Sequence, residues 1–212
     1  MGRKYLYLVL PVIILLTIIG WQVWRSNPRT PPVTARVVGS YITVGSIEDL
    51  VRQSEVIAVG TVVKVADKHF NTARNPLDHS QPASDLTIVG TIYEVQVEQY
   101  LKSDGDSPLR IVQSEDIVLS SALSEGEEVT VQVSDGFTPL TVGGRYIFFL
   151  RLSEPYPDAP FSELYHGVAE PWRFRLEHGR AFAESPWQMA GKVFPPMGES
   201  DLLQQVTSEA TK

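Results

Sequence analysis

The chain has 212 residues, 43% of them hydrophobic and 20% charged, which is the composition of a folded domain and excludes disorder as its dominant state. Its formal charge is −7 at pH 7. An acidic chain repels phosphate backbones, so nucleic acid is not an expected partner. Cysteine is absent, which excludes disulfides, thiolate metal ligands and a thiol nucleophile.

Residues 5–24 read YLYLVLPVIILLTIIGWQVW and carry no charge. At about 1.5 Å per residue, such a helix spans about 30 Å, the thickness of a bilayer core. Tyr5 and Tyr7 at one end, with Trp21 and Trp24 at the other, match the two interfacial aromatic belts. The run is longer than a usual signal-peptide core of about 7–15 residues, and no small-x-small cleavage site follows it directly. It therefore reads as an uncleaved, single-pass signal anchor that makes the membrane the first partner. The short basic head, Arg3 and Lys4, assigns residues 1–4 to the cytoplasm and the large domain to the outside of the cell membrane. Residues 25–45 contain Pro28, Pro31 and Pro32 with three arginines and read as a semi-rigid, extended linker. The asparagines at 27, 71 and 75 lack a glycosylation context. A cysteine-free extracytoplasmic domain fits a bacterial surface.

The expected β-barrel domain covers residues 46–197. It opens with a short helix at 46–54, where Ser46 and Asp49 are spaced as a capping box and Ile47, Leu50 and Val51 form one apolar stripe. Two similar segments follow, VGTVVKV from Val59 and VGTIYEV from Val89. Both alternate apolar and polar residues and are rich in β-branched residues, so both read as half-buried strands facing one core. Gly60 and Gly90 sit near the two strand starts, where glycine marks a bend or bulge of the kind that curls a small barrel.

After a turn at 102–108, LRIVQ, DIVLSS and EVTVQV read as further strands, and Ser134-Asp135-Gly136 as a turn. In the next segment, Ile147, Phe148, Phe149 and Leu150 are continuously apolar, as expected of a strand covered on both faces. PWRFRLEHGRAFAES reads as a hairpin: Trp172, Phe174 and Leu176 point one way, Arg173 and Arg175 the other, and a Glu177-His178-Gly179 loop sets Phe174 opposite Phe182. A C-terminal helix and tail at 198–212, capped by Ser200, would dock Leu202, Leu203 and Val206.

The expected fold class is thus mainly β: a small antiparallel barrel with a helix before the first strand and another at the C-terminus, preceded by one transmembrane helix. The segments SEVIAVGTVVKVADK, TIYEVQVEQYLKSDG and LTVGGRYIFFL resemble bacterial membrane-anchored or secreted proteins with an OB-fold, TIMP/netrin-like barrel. The resemblance covers about residues 47–152. It implies the OB-like barrel as the fold. Metalloproteinase inhibitors of this fold chelate zinc through an N-terminal cysteine amine, which this chain lacks, so that activity does not transfer.

No Gly-x-Ser-x-Gly, Ser-x-x-Lys, His-Glu-x-x-His or phosphate-cradling glycine loop is present. Ser40 or Ser46 with Lys64 is the serine–lysine pairing to weigh, and no local motif supports it. No catalytic residue, cofactor or metal is assigned. The connection 67–85, DKHFNTARNPLDHSQPASD, reads as a long loop, and long loops on a rigid scaffold commonly bind. His69, Asp78, His79 and Asp85 offer nitrogen and oxygen donors, although two histidines in a polar loop are ordinarily just solvated. The candidate binding residues are His69, Asn71, Arg74 and His79. The leading expectation is a non-catalytic binding or assembly module with a protein or cell-wall partner. A metal-assisted hydrolase with its site at 67–85 and an accessory subunit of a membrane complex are the alternatives.

Overall fold

The computed structural model describes residues 42–75, 77–83, 86–103, 108–120, 128–131, 138–157 and 159–212. The expected anchor, most of the linker and the turn at 134–136 lie outside the described residues. No helix among the described residues is long and apolar enough to cross a membrane.

The first helix among the described residues, α1 (Ile47–Gln53), starts where Ser46 Oγ accepts the Asp49 N–H at 3.1 Å and donates to the Asp49 carboxylate at 2.9 Å, satisfying an otherwise unpaired donor at the helix start. Eleven strands follow in two sheets among the described residues. They are β1 (Val56–Asn71), β2 (Arg74–Asn75), β3 (Asp78–Pro82), β4 (Leu86–Lys102), β5 (Leu109–Ser120), β6 (Glu128–Val131), β7 (Arg145–Leu152), β8 (Tyr165–Gly167), β9 (Arg173–Glu177), β10 (Arg180–Ala183) and β11 (Met197–Gly198). Two further helices are α2 (Ala190–Val193) and α3 (Glu199–Ala210).

β1, β4, β5, β8 and β7 close into a five-stranded barrel, because β7 also pairs with β1 over Val56 to Thr61. Numbered by chain order, the five neighbours run first, second, third, fifth, fourth and back to the first. The contact between the third and fifth, β5 and β8, is parallel, and the other contacts around the ring are antiparallel. Side chains fill the interior: Val56, Ala58, Val62, Tyr93, Leu109 and Phe148 belong to one buried cluster. The alternate residues of β1 and β7, among them Ile57, Val59, Ile147 and Phe149, join a second cluster with α1, β9, β10 and α3. β7 is therefore apolar on both faces, as its continuous apolar run predicts. Its partner turn is tied down twice: Gly143, at φ 84, donates to Val62 O at 2.7 Å, and Tyr146 Oη accepts the Thr141 N–H at 3.2 Å.

The two similar segments are adjacent antiparallel strands, β1 and β4, and both glycines sit at register shifts. The shifts fall between Val59 and Gly60 and between Val89 and Gly90. A Cβ on Gly60 would stand 2.7 Å from both Gln96 O and Val95 Cγ1, so this crossing requires glycine. A further shift between Val62 and Lys64 flips the faces of β1: Val62 packs inside, Val63 is 41% exposed, and Val65 packs inside again.

Several expectations are corrected. LRIVQ and DIVLSS form one strand, β5, because residues between them stay paired to β4. The loop expected at 67–85 is largely strand: β1 continues to Asn71, β2 and β3 form a hairpin, and β4 begins at Leu86. The β9–β10 hairpin turns on two residues, His178 and Gly179, at φ 51 and 71, as a type I′ turn requires. The shorter turn slips the register by one, so Phe174 faces Ala183 and Phe182 faces Arg175. Gly198, with no side-chain cap, precedes α3, and Ser200 lies inside the helix. On the Arg173 and Arg175 side of β9, Arg173 is fully buried and Arg175 is exposed.

Gly60→Ala is expected to destabilise the chain by about 1–3 kcal/mol through overpacking. Gly45→Ala, where a Cβ meets nothing within 4 Å, is expected to be nearly neutral. Urea denaturation midpoints of the two variants provide the check.

Candidate functional site

Of the strands, β1 and β4 are the longest at 16 and 17 residues, against 8 for β7. Both continue past the stretch paired to β7 and, with β5 and β6, form an arm. The sequence-predicted residues all fall at the far end of this arm. His69 lies in β1, Asn71 ends it, Arg74 lies in β2 and His79 in β3. The side chains of His69, Arg74 and His79 lie outside the described set. Asn71 is a structural clamp. Its Oδ1 accepts the N–H groups of Ala73 at 2.9 Å and Ile88 at 3.0 Å, so one amide joins β1, β4 and the start of the hairpin. Asp78 is likewise engaged, accepting from Ser80 N–H at 3.0 Å and Ser80 Oγ at 2.6 Å. Among the described residues, no group of three or more His, Cys, Asp or Glu is placed to hold a metal ion.

What the arm offers is backbone. β7 pairs with β1 as far as Thr61, and Val62 is closed by the 141–144 turn. From there to Asn71, the outer edge of β1 pairs with no strand among the described residues. Leu77, at the tip of the β2–β3 hairpin, is 95% exposed. An open strand edge is a template for another strand.

A second concave feature lies on the far side of β7. A cleft of about 260 Å³ is lined by Ile42, Arg151, Gly167, Val168, Glu170 and Trp172, among others. Arg151 and His166 are cross-strand partners in β7 and β8. Arg151 Nε donates to His166 Nε2 at 2.7 Å, and His166 Nδ1 lies 2.7 Å from Ser153 Oγ. Because Nε2 accepts, the imidazole proton sits on Nδ1 and is donated to the serine. A histidine in this state cannot take the Ser153 proton, so the pair is not a nucleophile and its base. It is a brace that fixes the Arg151 guanidinium at the rim. The sequence spacing hid this group, since only the β7–β8 register brings it together.

Trp172, which lines the cleft, adjoins a buried polar seam around Arg173. Trp172 stacks on Phe148 with ring centroids 6.2 Å apart, and Arg173 Cζ lies 4.5 Å from the Trp172 ring centroid. A Cβ on Gly167 would collide with the indole. Arg173 donates to Thr138 O and, from Nε, to Glu184 at 3.2 Å. Gln113 Nε2 donates to the same Thr138 carbonyl at 3.0 Å. The backbone of Glu170 pins the incoming chain, its N–H donating to Ile42 O at 2.8 Å and its carbonyl accepting from Val44 at 3.2 Å. Burial pushes the Glu170 carboxyl above the usual carboxylate range. Hydrogen bonds from Ser185 and Trp172 and the Arg173 charge pull the other way without overcoming it. A larger cleft of about 410 Å³ lies between α1, the end of β4 and α3. Its cations are occupied: Arg52 pairs with Asp49, Lys212 with Glu209 at 2.7 Å, and Lys102 donates to Val51 O and Ser54 O, capping the end of α1.

No protein-family model and no curated protein matches the chain.

A raised Glu170 pKa means that the folded state favours the protonated carboxyl. Its stabilising contribution is complete below the usual carboxylate range and is lost as pH rises through the higher folded-state value. Glu170→Gln is therefore expected to match the wild-type denaturation midpoint at acid pH and to exceed it well above that range. Urea titrations at both ends measure the difference.

Proposed function

We propose that the chain is a single-pass, membrane-anchored, extracytoplasmic β-barrel protein of a bacterial surface, and that it works as a non-catalytic binding or assembly module. The observation that carries this reading is the open edge of β1 beyond Val62. An extended segment of a partner protein would add to that edge as a new strand, with main-chain hydrogen bonds supplying affinity and neighbouring side chains specificity. Leu77 at the arm tip supplies an apolar anchor beside it. The accessory-subunit reading is the same proposal with a membrane protein as the partner.

The barrel is assigned to the OB-like type. A closed ring of five strands with its third and fifth strands in parallel contact supports that assignment. The uncharged run at 5–24 supports the anchor, and the basic head supports the outward orientation.

The anchor reading expects the full-length chain to resist alkaline extraction from membranes and its domain to be digested by external protease on intact cells. Uncleaved chain in the alkaline wash would contradict it. For the edge, a photo-cross-linking residue at Val63 in membranes is expected to give one discrete protein adduct, and the same residue at Thr207 on α3 none. Adding Lys68→Pro, at a register position where the β1 N–H points away from β4 as that of Val62 does, is expected to abolish the adduct. Equal adducts at both positions, or an adduct indifferent to the proline, would contradict strand addition.

A further inference from the structure

We propose that the cleft between β7, β8 and the 168–172 segment is a binding site for a ligand that presents a carboxylate beside an apolar group, with Arg151 as the residue that takes the carboxylate.

The argument starts with the cation. Arg151 is exposed, and its Nε is committed to His166 Nε2 at 2.7 Å. Among the described residues, no carboxylate is paired with it. His166 is fixed in turn by Ser153 Oγ at 2.7 Å, and Ser153 is buried and donates its N–H to Leu164 O at 2.7 Å. A long, flexible side chain is thus held in one place before any ligand arrives, which removes much of the entropy loss that binding would otherwise incur. With Nε occupied, the guanidinium keeps its Nη pair, and two N–H groups matched to two carboxylate oxygens give the bidentate geometry that arginine favours.

The walls specify the rest of the ligand. Ile42 is 67% exposed at the rim, with Val168, Ala169 and the Trp172 indole behind it. These surfaces suit a short aliphatic group rather than a second charge. One guanidinium offsets one negative charge, so a monoanion fits better than a phosphate dianion. Glu170 also lines the cleft, and burial disfavours its charged form, which reduces the repulsion an incoming anion meets. Among the described residues, its Oε2 has no hydrogen-bond partner. The larger cleft beside α1 lacks such a cation, since its arginine and lysines already have partners.

The C-terminal carboxylate of a peptide with an aliphatic last residue and a free acylated amino acid share this chemistry. Full-length protein in detergent is titrated by calorimetry with three probes: N-acetyl-leucine, N-acetyl-leucinamide and inorganic phosphate. A fourth, an acylated tripeptide ending in leucine, separates the two sources. N-acetyl-leucine is expected to bind saturably with Kd of about 1 mM or tighter, and the amide and phosphate about tenfold or more weaker. Tighter binding of the tripeptide assigns the site to chain ends, and equal binding assigns it to small acids; either supports the carboxylate site. Arg151→Gln is expected to lose binding while keeping the thermal midpoint, as an exposed residue should. His166→Phe, which releases Arg151 without removing it, is expected to weaken binding less. Equal affinity for acid and amide, preference for phosphate, or wild-type binding by Arg151→Gln would overturn the proposal. The site is independent of the β1 edge, so either result leaves the strand-addition reading to its own test.

Discussion

Everything in this domain hangs on the two-sided burial of β7. Ile147, Phe148, Phe149 and Leu150 are all fully buried, yet they alternate between two different cores. Phe148 and Leu150 fill the barrel, while Ile147 and Phe149 pack under the layer built from α1, β9, β10 and α3. Burying each such side chain stabilises the fold by about 1.5–3 kcal/mol. Neither core can form without the strand that serves both. β7 also closes the ring by pairing with β1, and its other edge carries β8 and β9. One short strand therefore holds the barrel shut and fastens its outer layer.

Because β7 is short and β1 is long, closure is partial. Where β7 ends its pairing at Thr61, β1 and β4 run on together as an arm. At the other end of β7, the β7–β8 register brings Arg151 against His166 and places it beside the cleft. The two surfaces that suggest function thus lie near opposite ends of the closing strand. The buried Arg173 belongs to the same logic: it lies on β9 opposite Phe148, too deep for solvent, and takes its partners from Thr138 O and Glu184.

The fold was largely legible in the sequence, and the reasons are local. Ser46 and Asp49 mark a helix start by chemistry alone, and the short apolar run of β7 after a glycine turn reads as a strand covered on both faces. The two glycine-marked segments announced paired, bulged strands. What escaped was register. A one-residue difference in a turn moved Phe174 from Phe182 to Ala183, and composition does not distinguish a two-residue from a three-residue turn around His178. Polar residues between 67 and 85 hid strand pairing, because Asn71 and Asp78 accept backbone N–H groups there. The Arg151–His166–Ser153 brace was illegible for a similar reason: residues 151 and 166 meet only through the β7–β8 register.

Amide hydrogen exchange on the full-length chain tests the central claim most directly, since it reads the stability of each strand separately. If β7 is the common support of both cores, the amides of residues 146–150 exchange only through global unfolding and are the slowest in the domain. The distal half of β1, paired on one side, then exchanges faster through local opening of the arm. Amides of β7 that exchange as fast as those of residues 64–71, with β9 and β10 remaining protected, would show that the outer layer stands without β7 and would contradict the account.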